Sequence, residues 1–270
     1  MREVIERCQG VSGELALVRV GRGHYEMVAN GVFLMATYNR RSEQDLARSG
    51  LAALFEGCDP GAGPAPAAAG LRVLIGGLGV GHTLAATLAD SRVGRVVVVE
   101  LEPKVVEWNL RHFPGGRDAL ADRRVSVVVG DLFAFLRERA GNGASSGAVS
   151  EGAGGAGESS RAAANRGGPF DLLLLDTDNG PGWLVRPENR AIYGHRGLAA
   201  AHAALRPGGV AAFWSAAEAP WFETGLARAG FAVTRRAVSA RRTLPTPRAV
   251  PPDVIYLGRK AAPPCVIIGP

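Results

Sequence analysis

The hydrophobic pattern at the start of the chain is one of alternation. Residues 13 to 38 alternate apolar and polar positions and contain the pair Asn30-Gly31. Alternation predicts strands with one exposed face, and Asn-Gly supplies the positive φ angles of a tight hairpin turn. Residues 42 to 56 follow with apolar groups at helical spacing and Ser42 as the expected N-cap. We therefore predict β-hairpins followed by a helix.

From residue 71 the pattern changes to short, continuous apolar runs separated by longer stretches. Continuous runs are typical of strands that are buried on both faces, as in parallel sheets covered by helices. The separating stretches, such as 81 to 91 and 103 to 113, are long enough for crossover helices. This pattern predicts an α/β fold with a doubly wound, Rossmann-like sheet and a small N-terminal β-hairpin subdomain. The five runs are LRVLIG (71 to 76), RVVVVE (95 to 100), RVSVVVG (124 to 130), FDLLLLD (170 to 176) and GVAAFWS (209 to 215).

Composition suggests where these parts begin and end. Residues 57 to 70 are rich in Gly, Pro and Ala, as linkers are. Residues 140 to 168 contain almost no large apolar side chain and cannot offset the entropy of ordering, so we expect a flexible, low-complexity surface insertion. The predicted parts are a hairpin region with a helix at 1 to 57, the Rossmann-like domain at 68 to 236, and a C-terminal tail with a short VIYLG strand at 237 to 270.

Length, composition and charge narrow the class of protein. The 270 residues are 47% hydrophobic, which is ample for a buried core. Three cysteines without C-x-x-C spacing and five histidines without metal-ligand spacing disfavour a disulfide scaffold and predict no metal. No apolar run approaches the roughly 20 residues that a membrane span needs. The net charge of +6 comes from arginines spread among acids, which favours solvated charge over a nucleic-acid groove. We expect a cytoplasmic protein without membrane or nucleic-acid partners.

The first chemical signal is a glycine-rich turn between a predicted strand and a predicted helix. Gly76, Gly77, Gly79 and Gly81 allow a tight turn and a close approach of the backbone to a ligand. Glu100 ends the next strand, where a carboxylate can accept hydrogen bonds from both hydroxyls of a ribose. Together they predict a nucleoside site. The alternative is a glycine turn required for packing and an acid that merely ends a strand.

Spacing distinguishes two kinds of nucleoside site. The order Gly77-x-Gly79-x-Gly81 is tighter than the G-x-G-x-x-G of nicotinamide sites and is typical of S-adenosylmethionine folds of the class I methyltransferase type. Asp131 follows the third strand, where its carboxylate can accept the adenine amino group while Leu132 covers the ring. Asp131 also suits the N-cap of the next helix, and the two roles are compatible.

The fourth strand ends in the polar sequence DTDNGP. Ligands of open α/β sheets bind outside the carboxyl ends of the strands, so Asp176, Asp178 and Asn179 are expected to face the reactive end of a nucleoside. Two carboxylates and an amide suit a cationic amine, from which one carboxylate can take a proton. The alternative is a polar turn that only ends the strand. Trp183 is a candidate wall of an acceptor pocket, whereas Trp214 is expected in the core.

These motifs together resemble the spermidine synthase (polyamine aminopropyltransferase) family, and most closely its shorter bacterial spermidine synthase-like branch with a D-N-G-P turn. That family transfers the aminopropyl group of decarboxylated S-adenosylmethionine to a polyamine and releases methylthioadenosine. The resemblance extends from about residue 13 to 236. The segments that carry it are VLIGGLGVG, VVVVELEPKVVE, RVSVVVGDLFAFL, FDLLLLDTDNGP and ALRPGGVAAFW.

The resemblance implies a role for each matching residue. Asp176 falls where the family keeps its catalytic base. Asp178, Asn179 and Glu43 are the candidates for binding the acceptor because of their acidic and amide side chains, and not because they match the family pattern. The implied donor-binding residues are Gly76, Gly77, Gly79, Gly81, Glu100, Leu101, Asp131 and Leu132. The resemblance is also compatible with a homodimer.

The sequence departs from the family pattern on the acceptor side. Gly79 stands where the family has an aspartate that binds the cationic aminopropyl end, and the D-x-x-D-P turn is altered. The upstream tyrosine-histidine-glutamate signature is reduced to Ser42-Glu43, and the tyrosine- and glycine-rich acceptor segment has no counterpart in SARRTLPTPRAVPPD. Donor recognition is therefore better supported than polyamine recognition.

Three functions follow as hypotheses. The first is transfer of an aminopropyl group from decarboxylated S-adenosylmethionine to a small-molecule amine or polyamine. The second keeps the fold but makes the chain a methyltransferase with S-adenosylmethionine as donor, and uncharged Gly79 favours it slightly because it leaves room for the donor's carboxylate. The third is a nucleoside-binding protein without catalysis, since a fold does not guarantee chemistry.

Overall fold

The computed structural model describes residues 2–38, 40–56, 70–142, 168–238 and 252–262. These residues form a four-stranded sheet, a seven-stranded sheet and the helices around them. The predicted linker at 57 to 70 and the predicted insertion at 140 to 168 lie outside the described residues except at their edges.

The N-terminal sheet is antiparallel, as the alternating pattern predicts. Its turn at Asn30 and Gly31 has φ angles of 49° and 78°, which is the conformation that the Asn-Gly pair predicts. One strand, β1, was not predicted, because Val4 is exposed and the other apolar side chains, Ile5 and Cys8, are only partly buried. The strands in order are β1 (Glu3–Gly10), β2 (Gly13–Gly21), β3 (His24–Ala29) and β4 (Val32–Ala36).

Helix α1 (Arg41–Phe55) connects the two sheets and packs on one face of the larger sheet, against β8 and β9, whose bounds are given below. Gly50 allows this close approach, since a Cβ atom there would lie 2.7 Å from Leu174 Cδ2. The prediction that Ser42 is the N-cap is wrong. Arg40 occupies that position, and Ser42 is buried inside the first helical turn.

The larger sheet has the order β10-β11-β9-β8-β5-β6-β7, in which every strand except β11 runs in the same direction. This confirms the predicted doubly wound α/β fold. The strands are β5 (Leu71–Gly76), β6 (Val93–Glu100), β7 (Val125–Val129), β8 (Phe170–Leu175), β9 (Leu205–Ser215), β10 (Phe231–Val238) and β11 (Asp253–Lys260).

Helices cover both faces of this sheet and bury separate hydrophobic cores against it. Every residue of β8 is buried, as its continuous apolar sequence predicts. No helix among the described ranges has the length and apolar character to cross a membrane. The remaining helices are α2 (His82–Leu88), α3 (Pro103–His112), α4 (Pro114–Leu120), α5 (Leu132–Asn142), α6 (Arg190–Tyr193), α7 (His195–Ala204) and α8 (Pro220–Arg228), with a 3₁₀ turn at Pro187–Asn189.

The strand that we predicted in a C-terminal tail is an inner strand of the main sheet. Strand β11 pairs with β9 on one side and β10 on the other, and six of its eight residues are buried. Because β11 is antiparallel, its first residue, Asp253, lies at the same edge as the last residues of the parallel strands. The division of the chain at residues 57, 68 and 236 stays a prediction.

Candidate functional site

A cavity of about 450 Å³ opens at the carboxyl edge of the parallel strands, where β5 and β8 mark the switch in strand order. This volume and this position are typical of small-molecule sites in open α/β sheets. The wall consists of the glycine turn, the ends of β6, β7 and β8, the first turn of α1, and the N-terminal sheet as a roof. All the predicted site residues line this cavity except Gly76, Gly81 and the candidate wall residue Trp183.

Gly76 and Gly81 serve packing beside the cavity. A Cβ atom on Gly76 would lie 2.4 Å from Leu132 Cδ2, so any side chain there would displace that leucine. Gly81 is the N-cap of α2 with φ of 85°, and a Cβ atom there would lie 2.9 Å from Gly116 Cα. Both positions need glycine because a side chain would collide with neighbouring atoms. For Gly76 and Gly81, therefore, the alternative interpretation holds: these glycines are required for packing.

Gly77 and Gly79 form the part of the turn that faces the cavity. Their φ angles are 91° and 55°, in the left-handed region that glycine adopts without strain. A Cβ atom on Gly77 would lie 2.4 Å from the backbone oxygen of Asp176. On Gly79 it would lie 3.3 Å from Met35 Sδ. The glycine turn is therefore pressed between the DTDNGP segment and the roof.

Gly77→Ala is expected to abolish nucleoside binding while the helices remain folded. The added methyl group must push the Asp176 backbone away and occupies a strained φ angle, which costs on the order of 1–3 kcal/mol. Titration calorimetry with methylthioadenosine measures the loss, and circular dichroism checks the fold. Gly115→Ala is the matched control, because nothing lies within 4 Å of a Cβ atom at that position. Unchanged affinity in Gly77→Ala would remove this turn from the binding site.

Glu100 holds the glycine turn in place through its carboxylate. Its Oε2 accepts a hydrogen bond from the Leu78 amide at 2.8 Å, and its Oε1 accepts one from the Glu102 amide at 2.8 Å. Burial raises the pKa of the Glu100 carboxyl, although these two amides oppose the rise. The Glu100 carboxylate therefore both fixes the conformation of the turn and lines the cavity.

Asp131 and Leu132 stand on the neighbouring wall, at the start of α5. The Asp131 Oδ1 atom accepts a hydrogen bond from the Ala134 amide at 2.8 Å, so Asp131 is the N-cap of that helix. Both residues and Leu101 also line the cavity. The compatible second role, contact with an adenine ring, stays a prediction.

Carboxyl groups gather at the other end of the cavity. Glu43 comes from the first turn of α1 and Asp176 from the end of β8, and both are partly accessible within the cavity although protein atoms surround them. Burial, with the charges of Asp176 and Asp253, raises the pKa of Glu43 to about 8. Burial, with the charge of Asp253, raises the pKa of Asp176 to about 7. A cation placed here would restore the ionised forms of these groups.

Asp253 is the acidic residue that the sequence reasoning missed. It is buried and does not line the cavity, but its charge acts on both Glu43 and Asp176. The predicted polar residues of the site follow the carboxyl ends of parallel strands, whereas Asp253 opens an antiparallel strand. Knowledge that β11 inserts beside β9 in the reverse direction would have been needed to find it.

Asp178 is engaged within its own loop. Its carboxylate accepts hydrogen bonds from the amides of Asn179 at 2.9 Å, Val185 at 2.7 Å and Arg186 at 3.2 Å, and from Asn189 Nδ2 at 3.0 Å. These bonds fold the loop after β8 against the cavity. Asp178 thus positions Asn179 and the loop, and its predicted contact with a substrate stays a prediction.

The roof of the cavity was also not anticipated. Glu102 accepts hydrogen bonds from the amides of Val11 and Ser12, each at 2.8 Å, and so ties the β1–β2 turn to the end of β6. His82 faces the same space, and burial lowers its pKa to about 4, so that its imidazole is neutral. The N-terminal sheet therefore encloses the glycine turn, and His82, the first residue of α2, adds no positive charge to the cavity.

The predictions for two tryptophans have different outcomes. Trp183 is 56% exposed and does not line the cavity, so it is not a wall of that cavity. Trp214 packs against the hydrophobic core, as expected, but it also lines the cavity and has a buried indole Nε1 without a hydrogen-bond partner in the described part of the chain. Within those same ranges, no group of three or more His, Cys, Asp or Glu side chains is arranged to hold a metal ion.

The chain matches no protein-family model and no curated protein sequence. Solved structures resemble it over almost its whole length. A spermidine synthase in complex with the transition state analogue AdoDATO is 14% identical, with a TM-score of 0.65 over 97% of this chain and 75% of that one. The spermidine synthase from Thermotoga maritima is 13% identical, with a TM-score of 0.61 over 97% of this chain and 74% of that one. The chain therefore has a spermidine synthase-like fold.

Proposed function

We propose that the chain is a transferase that moves the aminopropyl group of decarboxylated S-adenosylmethionine to a small-molecule amine. The observation that carries the proposal is the composition of one cavity, which joins a glycine turn and a strand-end glutamate to a pair of buried carboxyl groups, Glu43 and Asp176. The fold supports it, and so does the neighbour whose complex holds a transition state analogue.

The donor would bind with its nucleoside at the glycine turn. Gly77 and Gly79 have no side chains, so the donor can approach the backbone of the turn closely. Glu100 would accept hydrogen bonds from the ribose hydroxyls through its carboxylate. Asp131 and Leu132 would hold the adenine from the neighbouring wall. With the nucleoside held in this way, the sulfonium end of the donor would point toward Asp176.

The acceptor would bind at the acidic end of the cavity. With the pKa of Glu43 at about 8 and that of Asp176 at about 7, the pair carries only part of its negative charge at neutral pH. An ammonium group between them would stabilise the ionised forms and gain a charge-assisted hydrogen bond. The site therefore favours a cationic ligand over a neutral one of equal size.

The reaction would be a direct displacement without a covalent enzyme intermediate. The neutral amine nitrogen attacks the carbon beside the sulfonium, a C–N bond forms, the C–S bond breaks, and methylthioadenosine leaves. The proton that the nitrogen loses goes to the Asp176 carboxylate, whose pKa of about 7 makes it a stronger base than an ordinary aspartate. Because the sulfonium is already a good leaving group, positioning and this one base supply most of the catalysis.

Methyl transfer from S-adenosylmethionine is the second candidate, and Gly79 is the observation that favours it. The place of the family's donor-binding aspartate carries no charge here, and Met35 Sδ fills the space next to it. A donor with its own carboxylate would meet no repulsion at that position. The same cavity would then hold the intact donor.

Titration calorimetry separates these functions. We expect decarboxylated S-adenosylmethionine to bind about tenfold or more tightly than S-adenosylmethionine, because the acidic end of the cavity repels an additional carboxylate. Methylthioadenosine reports the affinity of the nucleoside half alone. A preference for the intact donor would overturn aminopropyl transfer in favour of methyl transfer. Methylthioadenosine binding without turnover of any amine tested would favour a nucleoside-binding protein.

A further inference from the structure

One arginine stands in the wall of the candidate active site and takes no part in the proposed reaction. Arg186 lines the cavity, and its side chain is 23% exposed. Among the described residues of the wall, it is the only one with a positive charge at neutral pH, because burial lowers the pKa of His82 to about 4. Neither the binding of a nucleoside nor the removal of a proton from an amine requires a cation here.

Hydrogen bonds within the loop after β8 hold Arg186 at the acceptor end of the cavity. The Arg186 amide donates to Asp178 Oδ2 at 3.2 Å. Asn189 Nδ2 donates to the carbonyl oxygen of Thr177 at 3.0 Å. Thr177 directly follows Asp176, so these bonds fold the loop onto the segment that carries the proposed base. A side chain of this loop that lines the cavity is therefore well placed to contact the acceptor.

The charge of Arg186 is available to a ligand. Its ion pair within the described part of the chain joins Nε to Glu188 Oε2 at 3.3 Å, and the Glu188 side chain is 67% exposed. An ion pair with so exposed a partner contributes little stability. A carboxylate that enters the cavity would bind the guanidinium group more strongly, because it can accept two parallel hydrogen bonds away from bulk water.

The acceptor end of the cavity thus presents two kinds of group. Glu43 and Asp176 suit an amine or ammonium group, whereas Arg186 suits an anion. Asp178, which lies on the same loop, does not cancel the charge of Arg186 freely, because its carboxylate already accepts hydrogen bonds from four donors. A diamine would bind the carboxyl groups through one nitrogen, but its second ammonium group would meet the guanidinium.

We propose that Arg186 binds a carboxylate of the acceptor, so that the acceptor is an amino acid and not a diamine or polyamine. This inference rests on the proposed function and names its substrate class. The amino nitrogen lies at Glu43 and Asp176, and the carboxylate lies at Arg186. The nitrogen forms a bond to the aminopropyl carbon, the C–S bond of the donor breaks, and the proton goes to Asp176. The products are an N-aminopropyl amino acid and methylthioadenosine.

Acceptors of matched length test this inference. Glycine, β-alanine and γ-aminobutyrate are each compared with the alkylamine and the diamine of the same number of carbons, with decarboxylated S-adenosylmethionine as donor and release of methylthioadenosine as the readout. For at least one of these lengths, we expect kcat/KM for the amino acid to exceed that for both amines about tenfold or more. An equal or higher value for the diamine at every length would overturn the inference and leave aminopropyl transfer intact.

Arg186→Gln is expected to remove the preference for the amino acid. The KM for the amino acid should rise about tenfold or more, while its kcat and the constants for the alkylamine stay within a few fold. The loop should keep its fold, since its bond to Asp178 comes from the Arg186 backbone. Arg190→Gln is the matched control, because Arg190 is an exposed arginine nearby that does not line the cavity. An unchanged preference in Arg186→Gln would overturn the inference.

Arg186→Lys replaces Arg186→Gln if the glutamine variant does not fold. It keeps the charge but loses the paired donors, so the KM for the amino acid should still rise. An unchanged KM would overturn the inference. If either variant weakened the binding of S-adenosylmethionine and left the acceptor preference unchanged, Arg186 would bind the carboxylate of a donor, which would also overturn it.

Binding without turnover separates a failure of this inference from a failure of the proposed function. Absence of methylthioadenosine with every acceptor would overturn aminopropyl transfer. Calorimetry of the same amino acids and diamines, with the protein saturated with methylthioadenosine, needs no reaction and therefore tests Arg186 by itself. Tighter binding of an amino acid than of its matched diamine, lost in Arg186→Gln, supports the inference. Tighter binding of the diamine at every length, or no binding of any amino acid, overturns it.

Discussion

Asp176→Asn is expected to lower kcat by roughly 100- to 10,000-fold, the range over which a positioned general base accelerates a reaction. Asparagine has nearly the same shape and keeps the backbone contacts of Asp176 with the glycine turn, but it cannot accept the proton of the attacking amine. The affinity for the donor should therefore stay within a few fold. Steady-state kinetics give kcat, and calorimetry with methylthioadenosine gives the affinity.

The dependence of the rate on pH gives a second readout for the same variant. The pKa of Asp176 is about 7 in the site without ligand, so kcat/KM of the unmodified protein should fall as the pH decreases below that value and the carboxylate is protonated. The asparagine variant should lack this limb of the profile. Asp118→Asn, an exposed acid on α4, is the control that should change neither quantity. Undiminished activity in Asp176→Asn would remove Asp176 from the role of base.

Glu43→Gln is expected to make the protein more stable at high pH. The pKa of Glu43 rises from an ordinary value of 4.5 to about 8 on folding, so the folded state binds more protons than the unfolded state between these values. Stability is therefore full below about pH 4.5 and is lost as the pH rises through 8. For one buried carboxyl group the loss is on the order of a few kcal/mol. Glutamine does not titrate and should remove this part of the decline.

Urea unfolding at pH 5, 7 and 9 measures this effect. The free energy of unfolding of the unmodified protein should decrease from pH 5 to pH 9, and the decrease should be smaller in Glu43→Gln. Some decline should remain, because Asp176 titrates in the same direction, from 3.8 to about 7. Asp118→Asn should follow the unmodified protein. Identical pH dependence in Glu43→Gln and the unmodified protein would show that Glu43 does not titrate as a buried group.

The parts of the fold that the sequence predicts well are those that local pattern determines. A run such as that of β8 is apolar at every position because both of its faces are covered, and that condition is visible in the sequence itself. Strand β10 was missed because it lies at an edge, where all its residues after Phe231 are exposed or only partly buried and polar residues such as Arg235 and Arg236 are tolerated. Strand β11 was placed in a tail because the short VIYLG run does not reveal which strands it pairs with.

The residues of the candidate site also divide into those that the local sequence predicts and those that depend on distant parts of the chain. The glycines and Glu100 could be predicted because a glycine-rich turn between a strand and a helix, with an acid at the end of the next strand, is a recognisable local pattern. The position of Asp253 depends instead on the direction of a strand far along the chain. Trp214 packs against one of the two hydrophobic cores, but it lies next to the carboxyl end of β9, which also brings it to the cavity wall, and this second position was not predicted. Asp178 could be placed at the strand end, but its four hydrogen-bond donors depend on how the following loop folds.

The most direct test of the central claim is a turnover assay with decarboxylated S-adenosylmethionine and a series of mono-, di- and polyamines, followed by mass spectrometry of both products. We predict methylthioadenosine and an aminopropylated amine in equal amounts, and their loss in Asp176→Asn. Formation of S-adenosylhomocysteine and a methylated product from S-adenosylmethionine, with no methylthioadenosine from the decarboxylated donor, would contradict the account.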